Sequence, residues 1–166
     1  EGNCKQSFVV DYLNHPDTLA VLTSQHQILS HPKAHSLPLG LRFPYTVDTA
    51  YETLHSSPVN VQRRPKIMMV NSRTKNRMAR AMVQAKVLRQ FAGLGIQNTF
   101  GNPKRVGGYF DEMLNSTFIF SPAGAGWDCY RNWEALYMGT IPIIEHKNRQ
   151  DGWYRTFHGL PVAWID

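Results

Sequence analysis

Thr117 to Glu145 reads T-F-I-F-S-P-A-G-A-G-W-D-C-Y-R-N-W-E-A-L-Y-M-G-T-I-P-I-I-E, and the reading of this stretch decides the fold. The apolar, β-prone run Thr117 to Phe120 predicts a strand that stops at Ser121-Pro122, because proline has no N–H to give to a ladder. Gly124 and Gly126 in the following loop permit a sharp turn and a close approach of backbone to a ligand. Asp128 then reads as the N-cap of a helix from Cys129 to Met138, with Gly139 as its left-handed stop. Ile141 to Ile144 reads as a second buried strand with Pro142 near its start. Strand, glycine loop, helix and strand make one βαβ unit.

At about 100° per residue, Cys129, Trp133, Leu136 and Tyr137 share one helix face, which is expected to pack on the sheet. Asp128, Arg131 and Glu134 form a polar stripe on the other side. Free N–H groups and the positive dipole end at a helix start favour an anion. Arg131, in the first turn, adds a bidentate contact suited to phosphate. Glu134, one turn deeper, suits the two hydroxyls of a ribose, so the spacing suggests a nucleoside diphosphate. The plain alternative is that Arg131 and Glu134 are an ordinary surface pair, worth roughly a few tenths of a kcal/mol, and that the glycines serve only the turn.

Working outward, a β-α pattern begins at Lys66. Ile67 to Val70 reads as a strand, Asn71-Ser72-Arg73-Thr74 as a loop, and Lys75 to Ala92 as a helix closed by Gly93. Met78, Ala81, Met82, Ala85, Leu88 and Phe91 recur in it at helical spacing and read as core. Arg73, Lys75 and Arg77 stand at a strand's end and on a helix's first turn, where cations oppose the dipole. Either an anion offsets them or they form a solvated basic face. A short strand at Ile96 to Phe100, a helix at Tyr109 to Leu114 and a last strand at Leu160 to Ile165 complete the pattern, with Thr46 to His55 as a connecting helix. This alternation predicts an α/β fold with a doubly wound parallel Rossmann-like sheet, its strand order not legible. Such sheets bind ligands at the carboxyl ends of their strands, where these features gather.

The length of 166 residues suits about one domain. The sequence has neither a run of eighteen apolar residues nor a signal-peptide pattern, which predicts a soluble chain. Cys4 and Cys129 are too few for a disulfide framework. Cys129 reads as a small packing residue or as a thiol activated by its helix N-terminus. The net charge of +6 is uneven: Thr53 to Phe110 holds eleven Lys or Arg and no Asp or Glu. Such a block implies an anionic partner or a solvated basic face. Nucleic acid is disfavoured, because no nucleic-acid motif is present and aromatics are sparse among these cations. His26, His31 and His35 are broken by Pro32 and have no accompanying Cys or acid, so they are not read as a metal site. Asn115-Ser116-Thr117 is a glycosylation sequon that abuts a buried strand.

On F-S-P-A-G-A-G-W-D-C-Y-R-N-W-E-A-L-Y-M-G-T-I-P-I-I the chain resembles exostosin-like glycosyltransferases, enzymes of the GT-B group with two Rossmann-like lobes. The resemblance implies one lobe of a GT-B architecture, the one that binds the nucleotide-sugar donor. A similar H-P-K followed by L-P-L-G marks the crossover between lobes in that family. Residues 1–58 are accordingly read as the end of the acceptor-side lobe and the crossover linker, and residues 59–166 as a donor-binding domain truncated at its C-terminus. The implied nucleotide-sugar site is Ser72, Arg73, Arg77, Gly124, Gly126, Asp128, Arg131 and Glu134, with Arg73 or Arg77 reaching the diphosphate.

No catalytic residue is assigned, because a general base would come from the other lobe; Glu145 and His146 stand near the sheet edge as further candidates. The absence of a carboxylate cluster for Mg²⁺ predicts metal independence and no cofactor. A UDP-sugar is the favoured donor and a glycan or glycoprotein the acceptor. Golgi or ER lumen is implied, with membrane attachment only through a segment absent here.

Two other readings stay open. Gly124-x-Gly126 opening a helix, with Glu145 about twenty residues on, imitates the fingerprint of an NAD(P)-binding oxidoreductase. Cys129 at the third small position is larger than the Gly or Ala that fingerprint uses. The other is a nucleotide-binding module without catalysis.

Overall fold

The computed structural model describes residues 9–24, 31–42, 46–57, 63–68, 77–93, 95–97, 106–123, 126, 128–145 and 152–165. They fall into two compact units, Glu1–Pro38 with Asn148–His158, and Leu39–Lys147 with Gly159–Asp166. In the first unit, residues 9–14 are helical, and β1 (Val21–Thr23) pairs in parallel with β2 (Ala34–Ser36). Leu13, Trp153 and Phe157 are buried in this unit. Trp153 and Phe157 meet edge-on at 5.9 Å within the 3₁₀ helix Gly152–Phe157.

The second unit carries the sheet. Its elements are α1 (Val47–Ser56), β3 (Arg64–Met68), α2 (Arg77–Gln90), β4 (Gly95–Gln97), α3 (Val106–Leu114), β5 (Ser116–Phe120), α4 (Tyr130–Tyr137), β6 (Ile141–Glu145) and β7 (Ala163–Ile165). All five strands are parallel, in the order β4-β3-β5-β6-β7. The chain starts at β3, steps to β4 on one side, then reverses to β5, β6 and β7 on the other. The reversal lies between β3 and β5, the topological switch point at which open α/β sheets leave a crevice. The mixed α/β architecture with parallel strands agrees with the Rossmann-like expectation. Helix α1, which composition groups with residues 1–58, packs on α3 in this unit.

The period of two along each strand divides the core. Ile67, Phe120, Ile143 and Ile165 share one face with Val83 and Val87 of α2. Their neighbours Met68 and Ile119 face the other way, against Ala50, Phe110, Met113, Leu114, Ala135 and Met138 from α1, α3 and α4. Both faces are thereby covered, as a parallel sheet requires. Lys66 of β3, nearly buried, is neutralised by an ion pair with Glu112 of α3.

The stripe expected to bury α2 is corrected. Met82 is 74% exposed, and Ala81, Ala85 and Leu88 are exposed as well; the sheet receives Val83 and Val87, with Phe91 partly buried beside them. Apolar residues surround most of this helix, so periodicity left more than one frame open. The two β-branched residues present compact side chains to the sheet. Strand β3 begins earlier than expected, at Arg64, and α3 begins at Val106. The last strand shrinks to Ala163–Ile165, because Gly159 at φ +79° and Pro161 keep the preceding residues from extending the ladder. Positions 69–70, 75–76 and 98–100 of the expected elements lie outside the described residues.

The far end of α4 closes as its sequence predicts. Gly139 adopts φ +70°, its N–H donates to Leu136 O and the Thr140 N–H donates to Ala135 O, a complete Schellman motif. Arg63 then caps this end, donating to Met138 O at 2.6 Å, Ser116 O at 3.1 Å and Thr140 Oγ1 at 2.9 Å. A cation here meets the negative end of the helix dipole. Partial burial pulls the Arg63 pKa below its usual value.

Candidate functional site

Strand β5 ends where Ser121 donates its N–H to Ile143 O, and Pro122 stops the ladder. The chain re-enters helix at Tyr130, with Cys129 in extended backbone (φ −139°, ψ 154°) as the N-cap residue. Asp128 therefore does not cap α4, which corrects the expectation. Its carboxylate is instead turned inward: Oδ2 accepts from Leu39 N–H at 2.8 Å, and Oδ1 from Trp133 Nε1 at 2.7 Å and Asn132 Nδ2 at 3.4 Å. Burial raises the Asp128 pKa, and these hydrogen bonds oppose the rise. Asn132 is fully buried and also accepts the Ser121 hydroxyl at 2.5 Å. The Cys129 thiol, half-buried and free, lies 3.4 Å from both Ser121 Oγ and Asn132 Oδ1. This network ties the N-terminus of α4 to the carboxyl end of β5.

The orientation of α4 reverses the amphipathic expectation. Asn132, Glu134 and Ala135 are buried, whereas Tyr130 and Tyr137 are exposed and Trp133 and Leu136 only half-buried. Polar residues turn inward because partners await them there: Ser121 and Asp128 for Asn132, and Tyr109 for Glu134. A buried polar group with its hydrogen bonds made is tolerated where an unpaired one is not.

Glu134 is 6% exposed, and its Oε2 accepts the Tyr109 hydroxyl from α3 at 2.9 Å. Oε1 has no hydrogen-bond partner among the described residues. Burial raises the pKa of this carboxyl; the Tyr109 hydrogen bond and the charges of Arg131 and Arg42 draw it back. Tyr109 is held well above its ordinary value by burial and by the neighbouring Glu134. Arg131 Nε is sealed from solvent without a hydrogen-bond partner among the described residues.

The structure thus brings Asp128, Arg131 and Glu134 together with Ser121, Asn132, Tyr109 and the 39–42 segment. Gly126 is half-buried in the loop before them. Ser72, Arg73, Gly124 and His146 lie outside the described residues, as does the side chain of Arg77, the first residue of α2; Glu145 ends β6. Tyr109 and Arg42 were missed in the sequence because no local spacing links them to Glu134. Asn132 carried a weak signal, four residues after Asp128 on the same helix. Among the described residues, no group of three or more His, Cys, Asp or Glu is placed to hold a metal ion.

Residues 96–161 match the family model described as the RXYLT1 C-terminal domain. The match spans Tyr109, the β5-loop-α4 unit and β6, and so covers Ser121, Asp128, Arg131, Asn132 and Glu134 but not the 39–42 segment. It bears out the exostosin-like resemblance on that segment: the RXYLT1 C-terminal domain is a glycosyltransferase-family domain, and this segment is similar to it. Arg42, Arg63 and the strand β3 lie outside the RXYLT1 match. No curated protein matches the chain.

Proposed function

We propose that the second unit binds a nucleoside-diphosphate sugar as the donor domain of a glycosyltransferase whose acceptor is a glycan or glycoprotein. One observation carries the reading. The first two turns of α4 hold a buried carboxylate with one oxygen and a guanidinium with its Nε–H left without a hydrogen-bond partner among the described residues. They stand at the carboxyl end of β5, the strand beside the switch point. A buried N–H without a partner costs about 1–3 kcal/mol, which an arriving phosphate oxygen relieves by drawing the guanidinium outward. Arg131 then stabilises the leaving diphosphate, helped by Arg73 or Arg77 and by backbone N–H groups. Glu134 accepts the ribose hydroxyls. The family match supports the same class, and with it placement in the secretory pathway. No helix of the described residues is long and apolar enough to cross a membrane.

Calorimetric titration with UDP, GDP and NAD at low salt tests the reading. Saturable binding of UDP or GDP, lost in Arg131→Ala and weakened in Glu134→Ala, is the expected result. Preference for NAD, or nucleotide binding indifferent to both substitutions, overturns it.

A further inference from the structure

The phenol that touches Glu134 has no part in the roles above, and three observations give it one. Glu134 is about as buried as the core around it, yet none of the described cations forms an ion pair with it. Its only hydrogen bond among the described residues comes from Tyr109, and that bond engages Oε2. The other oxygen, Oε1, has no hydrogen-bond partner among the described residues and is left for a ligand. Tyr109 itself is pinned by its neighbour Phe110, edge-on at 5.1 Å, which anchors α3 in the core through a fully buried ring. A phenol on α3 thus holds one oxygen of a carboxylate on α4.

We propose that Tyr109 is a positioning residue of the donor site: by holding Oε2 it presents Oε1 to the ribose hydroxyls and keeps Glu134 in its acceptor form. The inference rests on the donor-site reading for its ligand, but its geometry stands apart from it. While ionised, the carboxyl accepts at both oxygens, and when protonated it gives one of them up to an O–H; burial favours the neutral acid, and the Tyr109 hydroxyl favours the ion. The other charges that act on Glu134 are Arg131 on its own helix and Arg42 from the segment before α1, both cationic. Removing the phenol hydroxyl leaves these in place and takes away the one direct donor among the described residues.

Tyr109→Phe keeps the ring and its contact with Phe110, and two readouts separate the two ideas. The first needs no nucleotide: the ¹³C shift of the Glu134 carboxyl is followed through a pH titration. Its midpoint is expected to move to higher pH in Tyr109→Phe and to stay put in Phe110→Leu, which loosens the same helix without touching the hydrogen bond. An unmoved midpoint in Tyr109→Phe overturns the positioning role, whatever binds. The second is UDP affinity against pH. Tyr109→Phe is expected to weaken binding about tenfold near neutrality, the loss of one hydrogen bond to a charged group. Its affinity should also fall on acidification at a higher pH than in the parent. A uniform loss with an unshifted acid limb marks a merely structural role and overturns the proposal. If the parent itself ignores UDP and GDP, the donor reading and the ligand half of this proposal fail together, and the carboxyl titration still decides the geometry.

Discussion

Helices α2 and α4 cover opposite faces of one sheet, and neither turns the face its sequence advertises. Helix α2 gives the sheet two valines and leaves Met82 in solvent. Helix α4 gives the core side an asparagine and a glutamate and leaves two tyrosines outside. The cause differs. In α2, apolar residues are spread around the helix and only packing selects among them. In α4, burial of polar groups is sustained by donors and acceptors supplied from β5, α3 and the 39–42 segment. A helix of the first kind is seated by packing alone, whereas one of the second kind is seated by specific polar pairs that fix its side chains.

The comparison breaks most sharply at Asn132. Asn132→Ala deprives both Ser121 and Asp128 of a partner and opens a cavity, so chemical denaturation should show a loss of about 3 kcal/mol. A loss below ~1 kcal/mol would mean that the polar network is not what seats α4. Val87→Ala in α2 removes only apolar volume at a fully buried position, and about 2 kcal/mol is expected in the same assay.

Glu134→Gln sharpens the contrast through pH. The folded pKa of Glu134 is raised above its unfolded value near 4.5, so its contribution is fully present below that value and is lost as pH rises through the raised folded pKa. Denaturation between pH 4.5 and 7 should therefore show the parent losing stability with rising pH more steeply than Glu134→Gln. Parallel profiles would show that the carboxyl titrates as it does in the unfolded chain. The smallest effect belongs to α2: Met82→Gln should change stability by no more than about 0.5 kcal/mol, since nothing is buried there to lose.

The β5-loop-α4-β6 unit was readable because its punctuation is local. Ser121-Pro122 ends a strand by removing a donor, and Gly139 ends a helix by accepting a positive φ, whatever surrounds them. Arg131 and Glu134 were readable as residues of one helix but not as an inward-facing pair. Asp128 was misread as a cap because capping is inferred from sequence position, while its real partners are Leu39, eighty-nine residues away, and an indole one turn on. Tyr109 left no trace, since its hydroxyl meets Glu134 only after α3 and α4 have both packed into the same core cluster.

The sequence by itself determined that strands and helices alternate through the second unit, that a strand stops at Ser121-Pro122 and a helix at Gly139, and that residues 117–145 resemble a glycosyltransferase signature. These depend on backbone propensities and on residue types a few positions apart. Only the tertiary structure decided the strand order β4-β3-β5-β6-β7, the switch point between β3 and β5, and the inward turn of Asn132 and Glu134. Those follow from which distant groups can satisfy one another once water is excluded, and a linear pattern of apolar and polar residues does not encode that pairing.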